Sequence, residues 1–180
     1  MRPRVRDAAG FIGRVLGVVV LALSVGCGGS GARSSSVAAT TGSEVEFAFG
    51  VLDGTVITSE NTHGRTTALL FVTSYDLVSQ VAVRRLEDAF RRRKPRFNAA
   101  VIVLEHVENA LLVQTFKDSL RLSCPVGIAD LTELHQNAAL RSIDRVPTLL
   151  VLDRAGRERA RHSGGFEPEQ LASFLDSAEK

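Results

Sequence analysis

Residues Thr66 to Phe90, TTALLFVTSYDLVSQVAVRRLEDAF, constrain the fold more than any other stretch of the chain. Ala68 to Val72 is a short, continuous apolar run rich in β-formers, which reads as a buried strand. Thr73-Ser74-Tyr75-Asp76 follows as polar turn material, and Leu77, Val81, Leu86 and Phe90 then recur at helical steps. A buried strand that feeds directly into a helix delivers the connecting residues to the carboxyl end of a sheet and the amino end of a helix. α/β proteins commonly place their chemistry at that edge. Here the position holds Asp76-Leu77-Val78-Ser79, which contains no strong nucleophile.

Two more apolar runs, Ala99 to Leu104 and Thr148 to Leu152, read as strands of the same kind. Before the central strand, Val45 to Phe49 alternates, Leu52-Asp53-Gly54 turns, and Thr55 to Thr58 returns, so a hairpin is expected. Thr62-His63-Gly64-Arg65 is a further turn. Helices are expected over Asn109–Leu120, Leu131–Leu140 and Pro168–Ala178, with short strands at Pro125–Ile128 and Arg157–His162. The order ββ-βα-βα-βα-ββ-α implies a mixed sheet flanked by helices, with a closing antiparallel hairpin.

The N-terminal part has a different character. Arg2, Arg4, Arg6 and Arg14 precede an 11-residue apolar stretch, Val15 to Val25, too short for the roughly 20 residues of a spanning helix. Residues 1–27 therefore read as a secretion signal. Residues 28–43, rich in Gly, Ser, Ala and Thr, have the composition of a tether, and the folded domain is expected from 44 to 180. Charge follows the same division. Four of the 22 basic and one of the 20 acidic residues lie in 1–27, which leaves 18 and 19, net −1. That balance gives no global attraction to nucleic acid or to an anionic membrane.

The basic run Arg91-Arg92-Arg93-Lys94-Pro95-Arg96 ends the long helix, where cations complement the helix dipole and a proline stops the chain.

Several of these motifs, in this order, resemble the thioredoxin-like fold, in particular its extracytoplasmic TlpA/ResA-like and peroxiredoxin-like members. They are Phe47 through Leu52-Asp53-Gly54, then Gly64-Arg65 before Ala68-Leu69-Leu70-Phe71-Val72, and Val146-Pro147-Thr148 before Leu149 to Asp153, with Arg154-Ala155-Gly156 and Gly164 after. The resemblance implies a three-layer sandwich and a cis peptide bond before Pro147, in a loop lying against the strand–helix junction. Leu23-Ser24-Val25-Gly26-Cys27 likewise resembles a bacterial lipobox, although the preferred Leu sits four residues before the Cys and Ser24 occupies the third position. It implies acylation at Cys27 and a lipid-anchored protein of the bacterial cell envelope. The alternative is an ordinary cleaved signal with an incidental Cys.

The family carries Cys-x-x-Cys directly after its central strand and an aromatic. Here, after Tyr75, those positions are Asp76 and Ser79. Disulfide exchange needs a thiolate that attacks sulfur, and neither residue supplies one. Asp76 reads as a helix N-cap and Ser79 as a solvated first-turn residue. Cys124, before Pro125, has no basic neighbour in sequence and reads as a small buried hydrophobe. His63, His106, His135 and His162 lie on separate elements without ligand spacing, so no metal or other cofactor is expected.

Two functions follow. One is an envelope binding or scaffold module whose groove beside Val146, Pro147 and Thr148, with Tyr75, Asp76 and Arg145, takes an extended peptide of a partner protein. The other is a single-thiol redox protein that uses an accessible, low-pKa Cys124.

Overall fold

Both faces of the three apolar runs are covered, which explains why they carry no polar alternation. The computed structural model of the chain describes residues 44–180. Its central strands are β3 (Thr66–Val72), β4 (Phe97–Leu104) and β6 (Thr148–Leu152). Ala68, Leu70 and Val72 of β3 enter one core cluster and Leu69 and Phe71 the other. Val101 and Val103 of β4 likewise oppose Ala100 and Ile102, and Leu149 and Val151 of β6 oppose Leu150 and Leu152. The strand period of two thus divides one apolar run between two cores.

Seven strands form one sheet in the order β2-β1-β5-β4-β3-β6-β7. The outer members are β1 (Ala48–Val51), β2 (Val56–Thr58), β5 (Val126–Ala129) and β7 (Glu158–Ser163). β3, β4 and β5 are parallel, with Ala68 opposite Ala99 and Val101 opposite Val126. β6 runs antiparallel to β3, with Leu69 opposite Leu150, and the two hairpins close the sheet at either side. Helices α2 (Leu77–Arg93), α3 (Ala110–Leu120) and α5 (Pro168–Ala178) cover one face through Leu86, Phe90, Val113, Phe116, Leu171 and Leu175. On the other face lie Val45, Phe47 and Ile57 of the entering segment, Leu134 of α4 (Leu131–Gln136), and Leu140 and Ile143. This is the expected three-layer mixed sandwich.

The expected hairpin forms, its turn made by Gly54 at φ +84°, with Asp53 accepting from the Thr55 N–H and hydroxyl at 3.0 and 2.7 Å. Gly127 serves close approach instead: a Cβ there would lie 3.1 Å from the Gly50 carbonyl oxygen and 3.2 Å from Ile102 Cδ1. Four details differ from the expectation. The first hairpin strand is Ala48–Val51 instead of Val45–Phe49, and Val45 and Phe47 pack into the core ahead of it. Ser59–Thr62 forms a one-turn helix, α1, held by a Thr58–Asn61 capping box and too short to leave a periodic signal. α4 stops at Gln136 because Asn137 turns its side chain to the Glu46 carbonyl (2.7 Å) and the Ala139 N–H (3.0 Å). In α2, Leu77 and Val81 were expected on the apolar stripe, yet both are exposed, and the buried face is Ser79, Ala82, Val83, Leu86, Glu87 and Phe90.

α2 ends as expected at its basic run. Arg91 donates to Glu87 and to the Arg121 carbonyl, Arg93 to Asp176, and Lys94 stands over the Phe90 ring. The peptide bonds before Pro95 and Pro147 are both cis. The leader, Cys27 and the 28–43 tether lie outside the described residues; among those described, no helix is long and apolar enough to cross a membrane.

Glu87 is a buried carboxylate on α2 that sequence reading passed over. It accepts from Arg91 Nε (2.5 Å), the Ser123 N–H (3.0 Å), the Ser123 hydroxyl and the Cys124 N–H (3.0 Å), so it fastens the α3–β5 loop to α2. Burial opposes its ionisation, but the Ser123 hydroxyl, Arg91 and the two N–H groups outweigh burial and hold its carboxyl down, from 4.5 to about 2. A depressed carboxyl pKa contributes stability that is complete above the unfolded value and lost as pH falls towards the folded one. Between pH 4.5 and 2 the wild type should therefore lose about 2–3 kcal/mol more than Glu87→Gln, measured by denaturant titration at fixed pH. Equal acid sensitivity of the two proteins would refute this role for Glu87.

Candidate functional site

The carboxyl ends of three parallel strands meet at one edge of the sheet, and each is followed by a polar pair or turn. β3 runs into Ser74-Tyr75-Asp76, β4 into Glu105-His106, and β5 into Asp130. β6 begins at the same edge, since Phe71 lies opposite Thr148, which brings Val146 and Pro147 beside the β3–α2 connection. The loops are braced to one another. The Ser74 hydroxyl and the Asn109 amide donate to Glu105 at 3.1 and 3.0 Å, and His106 Nδ1 stands 2.6 Å from Asp130, which also caps α4 through the Thr132 N–H. The Thr132 N–H and hydroxyl, more than His106, hold the Asp130 carboxyl below the usual range. The side chains of Glu105, His106 and Asp130 were not recognised as a unit in the sequence. The signal present there was that each directly follows a strand end.

Asp76 is the N-cap that the sequence suggested. Its carboxylate accepts from the Ser79 N–H at 2.8 Å and from the Val78 N–H at 3.3 Å. Ser79, through its nearby hydroxyl and its N–H, holds the Asp76 carboxyl below its ordinary range. The hydroxyl is close enough to favour the anion, but it does not reach the geometry of a formed hydrogen bond. Ser79 was expected in solvent; instead it is 0% exposed, because it occupies the inner face of α2 while Leu77, Val78 and Val81 turn outward. At the two positions where the resemblance implies sulfur, the chain thus holds a capping carboxylate and a buried hydroxyl.

Cys124 also departs from one of its two readings. A redox thiol must be reachable and readily ionised. Cys124 is 0% exposed, and burial first, then the adjacent Glu87 carboxylate, push its thiol well above the ordinary range. The accessible, low-pKa thiol is thereby corrected to a core side chain: its Sγ packs in the cluster formed by α2, α3 and β5, and its N–H is tied to Glu87. Among the described residues, no three His, Cys, Asp or Glu side chains converge as a metal set.

The surface of the edge is apolar where the chemistry is missing. Tyr75 is 79% exposed and Leu77 75%, with Val78 and Val81 also exposed behind them. Beside them, the Pro147 carbonyl accepts from the Gly164 N–H at 2.7 Å, and Gly165 packs so close to Val78 that a Cβ on it would lie 3.3 Å from Cγ1. The N–H and carbonyl of Val146 form no hydrogen bond to other described residues.

Two outcomes follow from this geometry. The Ser79 N–H bond to Asp76 sets the two degenerate positions side by side, so an Asp76→Cys/Ser79→Cys variant should form an internal disulfide on mild oxidation. Mass spectrometry after alkylation would read it, and two free thiols after oxidation would count against the juxtaposition. In the wild type, Cys124 should react with Ellman's reagent only as fast as the protein unfolds; rapid labelling of the native protein would contradict its burial.

No protein-family model matches the chain, and no curated protein matches it. Solved structures do. A thiol:disulfide interchange protein of the thioredoxin family from Chlorobium tepidum superposes with a TM-score of 0.65 at 14% identity, covering 75% of this chain and 94% of its own. StoA from Bacillus subtilis gives 0.60 at 19%, covering 73% and 97%. The exposed lipoprotein thioredoxin Etrx1 from Streptococcus pneumoniae gives 0.62 at 15%, covering 73% and 98%. At such identities the likeness establishes the fold and nothing finer. The fold is thioredoxin-like.

Proposed function

We propose that this chain is an envelope-anchored thioredoxin-like domain that binds an extended segment of a partner protein instead of exchanging disulfides with it. The observation that carries the reading is the pairing of a braced strand-end edge with open contacts: Tyr75 and Leu77 stand in solvent at the same edge as the Val146 N–H and carbonyl, which form no hydrogen bond to other described residues. An unpaired N–H and carbonyl at a loop can take an added strand, and neighbouring apolar side chains can select what it carries. The loops are already braced by Ser74–Glu105–Asn109 and His106–Asp130, so little ordering cost accompanies binding. Asp76 and Ser79 offer no route to a mixed disulfide, and the buried Cys124 offers none to a partner thiol.

Anchoring rests on Cys27 and its preceding residues, together with solved neighbours that include an exposed lipoprotein. Cys27→Ser should then move the protein from the membrane fraction to the soluble one; unchanged fractionation would remove the anchor.

Binding can be tested by selecting short linear peptides on the full-length chain and mapping them by NMR. The selected peptides should shift the Val146 amide resonance, and Tyr75→Ala or Leu77→Asp should weaken them by about tenfold or more, with unchanged unfolding midpoints. Peptides that bind both variants as tightly as the wild type, or that leave Val146 undisturbed, would overturn the reading.

A further inference from the structure

A trough of about 1010 Å³ opens beside the His106–Asp130 pair and runs along β5 and β1 to the hairpin turn at Gly54. Leu52, Val107 and Ile128 give it an apolar lining, and Glu108, Asp130 and Glu133 stand along it. A second hollow of about 300 Å³ shares His106, Asp130 and Thr132 with it and ends at Tyr75. The two therefore adjoin at His106, Asp130 and Thr132, between Tyr75 and the trough.

Its charge is one-sided. No lysine or arginine lines either hollow among the described residues. Asp130 faces His106, and Glu105 is held by Ser74 and Asn109, whereas Glu108 and Glu133 have no salt-bridge partner among the described residues. Lys117 of α3 lies outside both linings and adds, after the Thr55 hydrogen bonds, to what holds the Asp53 carboxyl down at the hairpin turn. An apolar lining with unneutralised carboxylates along it suits a chain that is apolar on one side and cationic on the other.

The described residues leave the trough open. Glu44 enters the domain beside Arg157 and His63, and Val45 bonds to Gly156, next to the turn after β6. That turn lies at the end of the sheet opposite Tyr75, because Leu152 pairs with Thr67 at the start of β3. Val45 and Phe47 then pack on the face opposite α3. The described residues entering the domain thus do not fill the trough, and its charge suits a basic segment of a partner.

We propose that the trough receives the basic half of the partner segment whose apolar half pairs at Val146 and Tyr75. This rests on the function proposed above and adds the chemistry of what is bound. From β6 the segment crosses β3 and β4 to β5, three strand spacings of ~4.8 Å, which an extended chain covers in roughly four residues. The partner's lysines or arginines accordingly lie about that interval from its apolar residues, in the direction that the test peptides fix as apolar then basic. Steering by Glu108 and Glu133 speeds the encounter and makes it salt-sensitive.

Two fluorescein-labelled peptides test this on the full-length chain. Both carry the same alternating Val-Thr core; four residues on, one continues as Lys-Arg-Lys and the other as Glu-Asp-Glu. Anisotropy should show the basic peptide binding about tenfold tighter or better at low salt, with the preference shrinking as salt is raised. Glu108→Gln/Glu133→Gln should bring the two peptides to near parity without moving the unfolding midpoint. Equal binding of both peptides by the wild type, with both weakened by Tyr75→Ala, overturns the basic preference and leaves the peptide edge standing. A basic preference that survives the double substitution also overturns the assignment to the trough. Binding of neither peptide overturns both readings.

Discussion

The structure depends on the burial of β3, β4 and β6 from both sides. Each of these strands gives alternate residues to two separate cores, so neither face of the central sheet is available for a ligand. Burial of this kind supplies most of the folding free energy of an α/β domain. It also leaves only the strand ends and the sheet margins for function. Of the two ends, one is taken by the entering chain and the turn after β6, where Glu44, His63 and Gly156 crowd together. The other collects the residues that follow three parallel strands.

At that second end, structure and chemistry diverge. A dithiol site needs sulfur at the amino end of α2, in a setting that lets one thiol ionise and be attacked. Here the same turn is closed by Asp76, whose carboxylate satisfies two helix N–H groups, and by Ser79, which packs into the core. Both are good solutions for a helix start and poor ones for redox chemistry. The outward turn of Leu77, Val78 and Val81 belongs to the same rotation of α2 that buries Ser79 and Glu87. One helical phase thus removes a hydroxyl from solvent and presents an apolar ridge in its place.

Glu87 shows how a buried charge can be affordable. Four donors converge on it, so the cost of burial is offset and the carboxylate becomes a clamp between α2 and the loop before β5. The clamp also explains Cys124, whose N–H it binds and whose thiol it disfavours as an anion. The sole cysteine of the described domain is therefore part of a structural joint.

What the sequence by itself determined is what local chemistry decides. Continuous apolar runs announced the buried strands, Asp53-Gly54 the hairpin, Asp76 the helix cap and Arg91–Lys94 the helix end, because each depends on residues within a turn or two of itself. The absence of thiols at positions 76 and 79 was equally legible. Tertiary structure alone decided which side of α2 faces inward, and so reversed the expected exposures of Leu77, Val81 and Ser79. Apolar spacing of three to five residues fits more than one helical phase, and only packing against β3 and β4 selects among them. The same holds for Glu87 with Ser123, His106 with Asp130, and the trough beyond them. These pairs are 24 or more residues apart in sequence, and the strand order brings them together.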